Sequence, residues 1–65
     1  MSMYTEYIVT WTYLKTGQIT EEYVTVFEPK KTSIIEQIAL ELSAIWCISF
    51  DQIKINTYQK KHYNI

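Results

Sequence analysis

Arginine is absent from this 65-residue chain, and glycine, proline, cysteine and histidine occur once each. Each scarcity closes off a class of chemistry. A lone glycine, Gly17, excludes a glycine-rich phosphate loop. A lone cysteine, Cys47, excludes an intrachain disulfide, and with a single histidine it leaves no spacing recognisable as a metal site. His62 lies in a tail without periodicity, so no nucleophile has a neighbouring base to activate it. Cys47 falls on a helix or its last turn with no activator in view, which reads as a structural thiol. Glu21 and Glu22 are consecutive on a strand, point to opposite faces, and cannot work as a carboxylate pair. The expectation is a non-enzyme with no cofactor and no metal.

Long hydrophobic runs are also missing. The longest nearly apolar stretch, residues 38–50, is broken by Glu41, Ser43 and Ser49 and is too short to span a bilayer. No signal-peptide pattern opens the sequence, and an unpaired thiol suits a reducing compartment. Both point to a cytoplasmic protein with no membrane partner. A formal net charge of −1 lacks the basic footprint that duplex nucleic acid requires. All cationic side chains are lysines, and Ile, Tyr and Asn are frequent. That bias suits AT-rich coding, as in low-GC Gram-positive bacteria and their mobile elements.

What remains is apolar and patterned. From residue 3 to 14 the side chains alternate: Tyr7, Val9, Trp11 and Tyr13 point one way, and Glu6, Ile8, Thr10, Thr12 and Leu14 the other. Lys15 to Gln18 supplies a turn, with Gly17 free to take positive φ. Residues 18–27 resume a strand rich in Thr, Val, Tyr and Phe. Pairing Leu14 with Ile19 sets Val9 against Val24 and Tyr7 against Val26. A three-residue loop would instead set Trp11 against Glu21 and Ile8 against Val24, scrambling both faces. The first register leaves two apolar faces, and one helix can cover only one of them.

Pro29 ends the second strand because it has no N–H for a ladder. Ser33 with Glu36 then reads as a capping box opening a helix over residues 33–47. Ile35, Ile38, Ala39, Leu42, Ile45 and Trp46 form its apolar stripe, while Leu40 and Cys47 stand roughly opposite. Residues 52–58 form a third strand, with Ile53, Ile55 and Thr57 alternating against Lys54, Asn56 and Tyr58. Residues 59–65 form a tail expected to fray. The chain is thus one α+β domain over residues 1–65, a three-stranded antiparallel sheet with one helix on one face, in the order β-β-α-β.

The helix-covered core takes Tyr7, Val9, Trp11, Val24 and Val26. The surplus face holds Ile8, Leu14, Ile19, Tyr23 and Phe27 flanked by Tyr58, and with Leu40 these are the candidate dimer or partner contacts. A domain of this size buries only about 60% of its unfolded surface. Without a disulfide or metal brace it is expected to self-associate as a homodimer. Glu21, Glu22 and Glu28 offer an acidic rim. A competing use of the same face is a stacking platform for single-stranded nucleic acid, with Tyr23, Phe27 and Tyr58 as rings and Lys30, Lys54, Lys60 and Lys61 at the margins. Against it, Glu6 and Glu21 project onto that face and the balanced charge gives little counterion release.

The run Tyr7-Ile8-Val9-Thr10, the turn at Thr16-Gly17, the Tyr/Val-rich second strand and Asp51-Gln52-Ile53-Lys54 in the last strand resemble small accessory proteins of Gram-positive phages. In length and element order the chain is similar to the dimeric uracil-DNA glycosylase inhibitors of small Bacillus phages. The resemblance is one of pattern, and its helix departs from that family, so no functional residue is carried over. It implies a non-enzymatic inhibitor that occludes a host DNA-processing or defence protein.

Overall fold

The protein is described here by a computed structural model covering residues 4–27 and 33–61. The elements run β1 (Tyr4–Tyr13), β2 (Gln18–Phe27), α1 (Ile34–Trp46), a single 3-10 turn (Phe50–Gln52) and β3 (Ile53–Lys60). The sheet order is β2-β1-β3 with both pairings antiparallel, so the first strand is central. This is the α+β architecture that the alternation dictates.

One face of the sheet meets the helix. Val9, Trp11, Val24 and Val26 of the sheet and Ile38, Ala39 and Leu42 of α1 are buried. Tyr7, Tyr13, Ile34, Ile48, Ile53 and Ile55 pack around them. The helix row in use is Ile34, Ile38 and Leu42, an i, i+4, i+8 line with Ala39 beside it. This seam is narrower than the apolar stripe in the sequence: Ile35 and Ile45 are exposed, and Trp46 is half-exposed. Leu40, two residues from both Ile38 and Leu42, is turned about 200° from the seam and faces solvent.

The hairpin register differs from the expected one by two residues. Tyr7 pairs with Val24, Val9 with Glu22 and Thr12 with Ile19. The cause is the turn. The Tyr13 carbonyl accepts the N–H groups of Thr16 (3.2 Å) and Gly17 (2.7 Å), closing the loop over Leu14–Gly17, with Gly17 at φ 78°. Leu14 leaves the hairpin ladder and donates its N–H to the Gln52 carbonyl at 2.8 Å. A two-residue shift preserves side-chain parity, so both faces keep the membership the sequence assigns them.

Helix α1 starts after Ser33, but the Ser33 hydroxyl makes no capping hydrogen bond, so the expected capping box is not formed. Its carbonyl accepts the Gln37 N–H at 3.1 Å, the ordinary first-turn bond. The helix ends on Cys47, the one described non-glycine residue with positive φ (54°). There the Ile48 N–H reaches back to the Ser43 carbonyl (3.2 Å), and the Ser43 hydroxyl donates to the Ile48 carbonyl (2.6 Å). These bonds close a left-handed terminus of the kind glycine usually occupies.

Strand β3 corrects two expectations. It continues through Lys60, and the Lys61 N–H donates to the Glu6 carbonyl at 2.8 Å, so residues 59–61 are ordered strand and its continuation rather than tail. It also carries a bulge: Trp11 pairs with Ile55 and Thr10 with Thr57, which leaves Asn56 as the extra residue. Before the bulge, Ile53 and Ile55 face the helix. Beyond it, Tyr58 pairs with Val9 and therefore faces the helix as well. Alternation alone placed Tyr58 on the opposite side.

Candidate protein interface on the open sheet face

The second face of the sheet is covered by no described element. Even-numbered residues of β1 and odd-numbered residues of β2 project from it, because strand side chains alternate. Tyr4, Ile19, Tyr23 and Phe27 are 68%, 65%, 59% and 46% exposed there, while Ile8, on the central strand, is half-buried. Tyr4 and Phe27 are cross-strand partners whose rings meet at 4.8 Å and 57°. Ile8 lies opposite Tyr23, extending the apolar patch inward. Tyr4 was not among the sequence candidates. Its pairing with Phe27 follows only once the register is known.

A charged clamp lies on the same patch. The Lys61 ammonium sits 3.1 Å from the Glu6 carboxylate and 4.7 Å from the centre of the Tyr23 ring. It therefore reaches from the end of β3 across β1 to β2, neutralising Glu6 and capping the ring by cation–π attraction. Further along, the face turns polar. The Thr10 hydroxyl donates to Glu21 at 3.5 Å, and the Asn56 amide donates to Thr12 at 2.8 Å. Ile19 pairs with Thr12 at this polar end, apart from the Tyr4, Ile8, Tyr23 and Phe27 group, and exposed Leu14 stands in the turn just past β1.

The remaining candidates are dispersed. Tyr58 meets Tyr7 edge-on at 6.0 Å on the helix side. Leu40 stands on the outer surface of α1, away from the sheet. Glu21 belongs to the open face, whereas Glu22 points to the helix side and accepts the Trp46 indole N–H at 3.0 and 3.1 Å. Trp46 in turn meets buried Trp11 edge-on at 5.9 Å. Glu21 and Glu22 therefore lie on opposite faces, and Glu28 lies outside the described residues, as do Lys30, Lys31 and His62.

Among the described residues no group of three or more His, Cys, Asp or Glu side chains is placed to hold a metal ion. Among them, too, no helix is long and apolar enough to cross a membrane. No protein-family model matches the chain, and no curated protein or solved structure matches it.

Proposed function

We propose that this chain is a non-enzymatic protein-binding module that occludes its target with the open face of its sheet. The observation that carries the reading is the exposed group Tyr4, Tyr23 and Phe27 around Ile8 on a face no described element covers. Rigid aromatic anchors ringed by polar groups are what protein contact surfaces use for most of their binding energy. Lys61, Glu6 and Glu21 supply the polar surround, and a rim charge sets orientation and approach rate more than affinity. By its resemblance to small phage inhibitors, the target is a host DNA-processing or defence protein met in the host cytoplasm.

Protein is favoured over single-stranded nucleic acid for three reasons. The bulge removes Tyr58 from the platform, Lys61 is engaged with Glu6, and Glu6 and Glu21 both lie on the face a phosphate backbone would follow.

The test is affinity capture from a Gram-positive host lysate with the wild type, a Tyr4→Ala/Tyr23→Ala variant and a Tyr58→Ala control. One specific protein should be retained by the wild type and the control and lost from the double variant. Retention by all three, or no retained protein at all, sinks the reading. Binding of a fluorescent single-stranded oligonucleotide that weakens steeply with salt would replace it with the nucleic-acid one.

A further inference from the structure

The two edges of the sheet are built differently. The β3 edge carries Lys54, Lys60 and the bulge at Asn56, features that obstruct pairing with another strand. The β2 edge runs ten residues, Gln18–Phe27, with no lysine, no proline and no irregularity in its pairing. Such an edge is a ready template for one more strand.

Backbone directions identify the groups it offers. The Glu6 carbonyl and the N–H of Leu14, just past β1, both bond toward the β3 side. Backbone groups alternate along an antiparallel strand, so the odd residues of β1 bond toward β2. Their partners are Gln18, Thr20, Glu22, Val24 and Val26. Ile19, Glu21, Tyr23, Thr25 and Phe27 then aim their N–H and C=O groups outward, where no described residue bonds them.

We infer that β2 is a dimer seam: two copies pair antiparallel about a twofold axis at Tyr23, giving a continuous six-stranded sheet. The strand is complementary to itself in this register. Tyr23 meets its own counterpart, Ile19 meets Phe27, and Glu21 meets Thr25, so every outward backbone group finds a partner. A register centred on Glu21 would set like charges face to face, which is destabilising. The same twofold axis keeps both helices on one side and fuses the two open faces on the other. A second copy, rather than a foreign strand, is the occupant because the pattern fits itself and the domain lacks any covalent brace, Cys47 being a free thiol. The seam rests on backbone direction and charge pattern and stands apart from the protein-binding reading.

The experiment combines light scattering with disulfide trapping in a Cys47→Ser background. Across the axis the two Tyr23 Cα atoms would be about 5.5 Å apart, within disulfide reach. The two Ile19 positions would be separated by roughly 27 Å. Wild type should give a dimer mass, Tyr23→Cys should cross-link under mild oxidation, and Ile19→Cys should not. Thr25→Pro removes an outward N–H without touching the β1 ladder and should give a folded monomer by circular dichroism. If that variant fails to fold, the trapping pair decides alone. A monomeric wild type at every soluble concentration, equal trapping at both positions, or a folded Thr25→Pro dimer each overturns the seam. A Thr25→Pro monomer that still captures a target leaves the proposed function standing, whereas a wild-type dimer that captures nothing removes the function and keeps the seam.

Discussion

Tyr58 stands opposite Val9, on the side of the sheet that carries the buried core, and its ring meets Tyr7 edge-on at 6.0 Å. Aromatic pairs of this geometry contribute about 0.5–1.5 kcal/mol beyond area burial. Tyr58→Ala is therefore expected to lower stability by about 1 kcal/mol, read as a shifted denaturant midpoint at unchanged slope. A Tyr7→Ala partner variant completes a cycle with clear coupling. Additive losses would show that the rings do not interact.

Cys47 holds φ 54° at the end of α1, a conformation that costs a side-chain-bearing residue about 1–2 kcal/mol. Cys47→Gly relieves this strain, at the loss of only a weak 3.8 Å contact from the thiol to the Ala44 carbonyl. The expected gain is about 0.5–1 kcal/mol, allowing for the extra freedom glycine has when unfolded. For a domain of this size that raises Tm by a few degrees, about 4–8 °C per kcal/mol. Cys47→Ala should give no such rise.

The Trp46 indole N–H shared between both Glu22 oxygens links the end of α1 to β2. Trp46→Phe and Glu22→Gln should couple by about 0.5–1.5 kcal/mol in a double-mutant cycle. Trp46 fluorescence should also shift in Glu22→Gln, while buried Trp11 stays unchanged. A coupling near zero would mean that the bond adds nothing in solution.

Leu42 is wholly buried between the strands and the helix. Leu42→Ala is expected to cost about 2–5 kcal/mol through lost burial and the cavity left behind. That is comparable with the few kcal/mol, about 3–5, that so small a core supplies. Amide exchange should show global loss of protection, whereas exposed Leu40→Ala should leave it intact.

Both faces of the hairpin were legible because parity survives any even shift, so Val9, Trp11, Val24 and Val26 could be assigned to the core without the true register. The register itself was not legible. Tyr13 serving as double acceptor for the turn, and Leu14 leaving for Gln52, are tertiary choices with no local signature. Tyr58 was misplaced because a single extra residue, Asn56, inverts everything after it. The strand continuing to Lys60 was hidden by its composition: Gln59, Lys60 and Lys61 look like a solvated tail until the Glu6 carbonyl and carboxylate are known to hold Lys61. The Trp46 bond to Glu22 joins residues 24 apart and had no pattern to announce it.

The central strand of the sheet is the first to be made and the last to be completed. β1 can zip with β2 locally, within microseconds for a hairpin. Its other edge waits for residues 53–60, whose pairing closes a loop of some forty residues and brings in Ile53 and Ile55. Until then the emerging chain is a hairpin with both edges bare. Folding rate should accordingly be governed by the return of the last strand, so destabilising mutations in β3 should slow folding.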